Sequence, residues 1–431
     1  MENNGEPRAQ SKRTDLETVL DFCLEIGRRM IEAGANTERV QLAIARVATA
    51  YRLTDFSVNL ISGHLSIGAH DAEGNYASRQ GAVGAAGIHL LRLRQLNRLC
   101  YLVVDQTPPP EQLRLKLETA SNVREMPDVL IMVARVLALS CLCVLFGGSW
   151  REVIAVAITA AGMHYLMLLM EKTGIDHLVV NAITMFLATA LVIAMKMLGF
   201  SENVPVVLIT VSMLVIPGIP LVNAVRNLLC GNEMNGILQI LKVTIETLAL
   251  GVGIYVALWI FGMREGMDDA VVTTLSDPVL LILLAFGAST FFGFVFRIAP
   301  RDLWIAGLGG VLTRIVLIVM TQFTQTRLVY ITVAAIAASL YAELWAQRRR
   351  DPSTYFLYPA IVPLIPGDLF YYALVGIYRQ DRTMFETNAL SCLLVLTGMS
   401  IGFVISSIIA HQIRRRRHIR VVKTNKTRTG S

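Results

Sequence analysis

From Pro127 to Ala410 the chain is a succession of apolar stretches, each close to the ~20 residues that a bilayer demands. Ten of them can be marked, at 127–147, 151–171, 177–197, 203–225, 233–262, 277–297, 302–322, 327–347, 354–377 and 386–411. Inside lipid every backbone N–H and C=O has to be satisfied within the segment, so runs of this length can only be helices. Composition agrees. Charged residues make up 16% of 431, too few to cover the surface of a soluble protein of that size, and mean hydropathy is +0.55. The expected fold class is therefore an all-α polytopic membrane protein of ten transmembrane helices, preceded by a small soluble N-terminal domain.

Residues 1–125 read as that domain. Leu16, Val19, Leu20, Cys23, Ile26 and Met30 recur at helical spacing, Gly34 can end this helix, and Asn36 or Thr37 can cap the next. Alternation at Phe56, Val58 and Leu60, with Gly63 at the turn, predicts a β-hairpin over 54–62 and 65–70. Helices are expected at about 83–104 and 109–121, the latter starting on Pro109 and Pro110. The result is a small α/β domain. The first fifteen residues hold no apolar segment of the kind a signal peptide needs.

Net charge is +7, and the C-terminal stretch explains it. Between Gln412 and Ser431 lie eight cations and no acid; without them the chain carries about −1. A general basic surface for nucleic acid is therefore excluded. The Arg414–Arg417 run after the last span marks a cytoplasmic end and favours anionic lipid headgroups. The soluble domain is expected on the same cytoplasmic side, and an even number of spans satisfies that. The loops agree weakly, with Lys172, Arg226, Arg297, Arg301 and Arg348 to Arg350 inside against Arg151, Arg264, Arg327, Arg379 and Arg382 outside. The six cysteines (Cys23, Cys100, Cys141, Cys143, Cys230, Cys392) lack metal-ligand spacing and read as free thiols, so no metal is expected.

The spans divide into two sets of five that resemble each other. At an offset of 150, Val129-Leu130 matches Val279-Leu280, Arg151-Glu152 matches Arg301-Asp302, and His177-Leu178-Val179 matches Arg327-Leu328-Val329. At an offset of 149, Ile216-Pro217-Gly218 matches Ile365-Pro366-Gly367, and Gly253 matches Gly402. Five is odd, so the second set enters from the opposite side, which is the inverted-topology repeat of many secondary transporters. The boundaries read as follows: soluble domain 1–125, first repeat 126–262, linker 263–276, second repeat 277–411, basic tail 412–431.

The two Pro-Gly breaks carry the functional reading. Pro removes a backbone donor and clashes with the preceding turn. Paired breaks suggest discontinuous helices meeting near the midplane, each new half-helix aiming N–H groups and a positive dipole end at a substrate carboxylate. A single break would be read as a packing kink. Charged groups inside the spans are the second signal, because burying them in lipid is costly. His164 and Arg314 stand at equivalent positions of the repeat. They, Asn181 and Asn223 are candidate contacts to substrate, although asparagines also stitch membrane helices together. Asp368, directly after Pro366-Gly367, and Glu246 are candidates for carrying a proton; Glu246 could equally pair with Lys242 one turn away. Enzyme chemistry has little support: no P-loop or nucleophile motif is present, and His64, His70 and Asp71 read as surface groups of the hairpin.

The segment Ala33-Gly34-Ala35-Asn36-Thr37-Glu38-Arg39-Val40, the hairpin, and Ile216-Pro217-Gly218-Ile219-Pro220-Leu221-Val222-Asn223-Ala224-Val225-Arg226 resemble the threonine/serine exporter (ThrE) family. The second half, with Leu364-Ile365-Pro366-Gly367, resembles that family's smaller partner module, with Asp368-Leu369-Phe370 replacing Ile219-Pro220-Leu221. The two modules look fused. The resemblance implies export of threonine and serine, with no cofactor, driven by the membrane potential or a proton gradient. Two-subunit relatives are linked to dicarboxylate (succinate) export, which stands as the alternative. A membrane-anchored enzyme or sensor acting through residues 1–125 is the reading from another class. The expected partners are a small carboxylate substrate and membrane lipids; whether the chain forms a homo-oligomer is open.

Overall fold

The computed structural model describes residues 6–61, 63–84, 87–262 and 277–428, so the expected linker at 263–276 lies outside the described residues. The chain divides into two compact units. The first comprises Met1–Met126 together with Phe296–Ala299 and Trp345–Tyr355; the second holds the rest.

In the first unit, helix α1 (Glu6–Glu32) buries Leu16, Val19, Leu20, Cys23, Ile26 and Met30 along one stripe, as the 3.6-residue period requires. Gly34 ends it with φ +94°, where a β-carbon would stand 3.0 Å from the Gly87 carbonyl oxygen. Asn36 caps α2 (Thr37–Ala50), its side chain accepting from the Arg39 backbone N–H at 3.1 Å. The sheet has three antiparallel strands in the order β1 (Thr54–Ile61), β2 (His64–His70), β3 (Tyr76–Ala82). The central strand buries Leu65, Ile67 and Ala69. The sequence missed β3 and drew a helix from about 83. Only Ala77 of β3 is buried, so the strand lacks the apolar alternation that identifies one. Helices α3 (Leu90–Gln106) and α4 (Pro110–Ser121) pack on each other and on α1, and α1 and α2 pack on the sheet.

Two short segments from far along the chain belong to this unit. Backbone N–H groups of Leu90 and Leu91 donate to the carbonyls of Phe296 and Arg297 at 3.0 and 3.1 Å. Arg94 and Arg98 of α3 both reach Asp351, whose side chain is 0% exposed, at 2.9 and 3.0 Å. Arg94 also donates to the Tyr355 hydroxyl at 3.2 Å and stacks over its ring. Arg39 donates to the Ser353 hydroxyl at 2.6 Å.

The described regular elements of the second unit are helices: α5 (Asp128–Leu145), α6 (Trp150–Glu171), α7 (His177–Met197), α8 (Val204–Ser212), α9 (Gly218–Leu229), α10 (Glu233–Ile260), α11 (Pro278–Val295), α12 (Leu303–Phe323), α13 (Arg327–Arg349), α14 (Ser353–Ala360), α15 (Gly367–Arg379) and α16 (Arg382–Arg428). Helix α13 runs from this unit into the first. Among the described residues eight helices are long and apolar enough to cross a bilayer, or nine if α14 and its continuation into α15, bent by 47°, count as one span. The stretches at 203–225 and 354–377 are each interrupted at the Pro-Gly pair that marked a discontinuous helix in the sequence, because Pro217 and Pro366 interrupt the hydrogen-bond ladder. Large apolar side chains such as Ile158, Leu169, Leu283 and Phe323 remain exposed, the pattern of helices that turn one face to lipid. The protein is a multi-pass membrane protein.

Candidate functional site: two broken helices that meet

The two breaks share one geometry. Pro217 sits at φ −78°, ψ 57° and Pro366 at φ −82°, ψ 58°. Each is the centre of an inverse γ-turn, with the following glycine N–H donating to the isoleucine two residues back, at 2.8 Å for Gly218 to Ile216 and 2.9 Å for Gly367 to Ile365. Neither proline-capped end has a side-chain capping bond.

The breaks also touch. A β-carbon on Gly218 would stand 2.6 Å from Ile365 Cγ2, and one on Gly367 would collide with the Met213 sulfur. Each glycine therefore makes room for the other break. Asn223 Nδ2 donates to the Tyr358 hydroxyl at 3.2 Å, tying α9 to α14. Ser400 of α16 donates to the Val222 carbonyl at 3.3 Å. Pro217, Gly218, Pro366 and Gly367 are thus brought together, while Asn223 ties the half-helix after the first break to the helix before the second. The contacts to Met213, Ile365 and Tyr358 were not legible, since they pair residues more than 100 positions apart.

The two half-helix ends are not equivalent. In α9 the Leu221 N–H returns to Pro217, Pro220 has no N–H, and Ile219 presents an apolar side chain at the end. In α15 the Asp368 carboxyl group lies against the N–H groups of Asp368 and Leu369, so this end is occupied by its own side chain.

The remaining candidates lie elsewhere. Arg314 has eleven residues of α12 before it and nine after, which puts it ~13–16 Å from either helix end. That is farther than an arginine side chain can snorkel. Its Nε is buried without a partner, and no carboxylate pairs with it among the described residues. The neighbouring turn of α12 packs at Gly309 against Ala360, just before the second break. His164, 2% exposed on α6, accepts or shares a hydrogen bond with Arg135 of α5 at 3.0 Å. Arg135 was not foreseen; its signal is one cation two turns into an otherwise apolar helix. Asn181 is half-buried on α7. Glu246 lies 3.9 Å from Lys242, the i, i+4 pair its spacing allowed. The soluble-domain groups are structural: Asp71 accepts from the N–H groups of Glu73 and Asn75 at 2.9 and 2.8 Å, which outweighs its burial and holds it below the usual carboxylate range. No cluster of metal-ligating side chains occurs among the described residues.

Two family profiles match the chain. Residues 21–261 match one described as "Putative threonine/serine exporter", and residues 281–409 match "Threonine/Serine exporter, ThrE". The chain belongs to the threonine/serine exporter family. A "Probable threonine/serine exporter" of Mycobacterium tuberculosis is 23% identical over 91% of this chain and 78% of its own length. Two proteins named "Probable succinate transporter subunit YjjP", from Klebsiella aerogenes and Escherichia coli, are 20% and 22% identical over 59% and 57% of this chain and 98% and 96% of theirs. No solved structure matches it. The second profile begins beyond the point at which the first ends, which agrees with the family's two modules lying in one polypeptide.

Proposed function

We propose that the protein is a secondary exporter of small hydrophilic amino acids, threonine and serine, across the cytoplasmic membrane, and that its substrate binds where the two Pro-Gly breaks cross. The observation that carries this reading is the mutual contact of Gly218 with Ile365 and of Gly367 with Met213. Two interrupted helices crossing at one point leave polar backbone inside the membrane, which is tolerated where it lines a cavity.

In this reading the spans form two inverted sets of five, with α8–α9 and α14–α15 as equivalent broken crossings and both termini in the cytoplasm. Residues 1–125 form the cytoplasmic domain, and 412–431 a basic tail on anionic lipid. The substrate carboxylate lies at the α9 end, within reach of Asn223. Arg314, and His164 with Asn181, are further carboxylate contacts along the route. Asp368 and Glu246 are the groups that carry a coupling proton.

The test is a proteoliposome efflux panel of threonine, serine and succinate. Efflux of the amino acids, lost in the Pro217→Ala/Gly218→Ala variant while membrane insertion persists, is the expected result. Normal efflux from that variant and from Pro366→Ala/Gly367→Ala removes the broken-helix site. A dicarboxylate substrate is the second reading, favoured by the relatives named as succinate transporter subunits. Arg314, lacking a carboxylate partner, would then serve the second carboxylate.

A further inference from the structure

Helices α10 and α15 enclose a half-open pocket lined by Gly251, Ile254, Tyr255, Tyr371, Val375 and Tyr378, with about 260 Å³ of empty space counting its mouth. The Tyr371 side chain, 1% exposed, begins four residues after Gly367, ~6 Å along the half-helix that starts at the second break. Its hydroxyl and that of Tyr378 are buried and have no hydrogen-bond partner among the described residues. The rings of Tyr255 and Tyr378 meet edge to face at 4.9 Å.

A buried phenol without a partner costs about 1–3 kcal/mol. Phenylalanine at both positions would fill the same space without that cost. Packing alone therefore does not account for the two hydroxyls; a polar group that arrives with a ligand does. The pocket's own chemistry says which. Tyrosine faces and hydroxyl oxygens attract a positive charge, and no cation lines the pocket. The nearest acid on the same half-helix is Asp368, one turn before Tyr371, while Arg379 stands at the far end of α15. The two O–H groups can donate to a carboxylate, but its charge would meet no cation among the lining residues, and the enclosed part is sized for one head group rather than a whole molecule.

We propose that the pocket between α10 and α15 is the subsite for the substrate's primary ammonium group, held by the hydroxyls and ring faces of Tyr371 and Tyr378. This rests on the reading of the protein as an amino-acid exporter, and it assigns the group that shares the α-carbon with the carboxylate.

The test compares serine with glycerate, which has a hydroxyl in place of the ammonium, in proteoliposomes of the full-length protein and of Tyr371→Phe, Tyr378→Phe and the double variant. Each variant keeps its ring and loses no hydrogen bond, so insertion and monodispersity in detergent stay as in the wild type. The expected result is a rise of about tenfold in the serine concentration for half-maximal efflux, the equivalent of one hydrogen bond to a charged group, with glycerate unchanged. Unaltered serine efflux in the double variant overturns the subsite and leaves the exporter reading standing. Equal loss for serine and glycerate also overturns it, because a general packing defect does not discriminate. A wild type that moves succinate but neither threonine nor serine overturns the exporter reading, and the ammonium subsite with it.

Discussion

Arg314 is a fixed cation in the middle of a membrane helix with no carboxylate paired to it among the described residues. An unpaired cation at that depth costs roughly 2.5–3.5 kcal/mol on insertion scales. Arg314→Gln should therefore raise the thermal stability of the detergent-solubilised protein while lowering efflux by an order of magnitude or more; unchanged efflux with raised stability would mean the guanidinium has no transport role. His89 couples pH to the stability of the first unit. Its Nδ1 accepts from the Arg92 N–H at 3.1 Å, so its Nε2 carries the proton donated toward Glu125 at 3.2 Å. Burial, with the Arg297 and Arg92 guanidiniums, pushes it down to about 4, and Glu125 is shared with both arginines rather than free to favour a second proton. The unfolded chain takes up that proton near pH 6.5 and the folded one only near 4. The stabilisation is therefore complete above pH 6.5 and is lost as pH falls toward 4. Denaturant unfolding of His89→Asn should show a flatter decline across that window than the wild type.

At the scale of elements, the crossing of the breaks sets unequal demands on its two glycines. A methyl on Gly367 comes closer to its neighbour, but that neighbour is Met213, whose flexible thioether can swing aside. A methyl on Gly218 meets the β-branched Ile365 at 2.6 Å, and χ1 of isoleucine is stiff. Gly218→Ala is thus expected to lower efflux more than Gly367→Ala, and Ile365→Val or Ile365→Ala to restore part of it. Equal effects, or no rescue, would show that the contact between the breaks does not govern transport. The sequence located both breaks, because Pro-Gly within an apolar run is a local signal. It did not show that Met213 and Ile365 are what the glycines accommodate.

At the scale of the whole molecule, the buried Asp351 joins two arginines of α3 to a segment more than 250 residues away. Removing one partner leaves charge buried and unpaired, at a cost of about 3–5 kcal/mol. Asp351→Asn should increase hydrogen exchange in α3 and in 345–355 by the corresponding factor; unchanged protection would mean the network is dispensable. Orientation is tested at Cys230, an exposed cysteine in the turn after α9. With cytoplasmic termini it faces the cytoplasm, so an impermeant maleimide should label it in inside-out vesicles and not in intact cells. The sequence by itself determined the membrane class, most helix boundaries, the capped α1–α2 pair, the hairpin and the Pro-Gly breaks, since apolar run length, period and turn chemistry are properties of neighbouring residues. Tertiary structure alone decided that β3 joins the sheet, that Arg135 meets His164, that Asp351 belongs with α3, and that the two breaks touch. Each of those depends on which distant residues share space, and a local pattern carries no information about that.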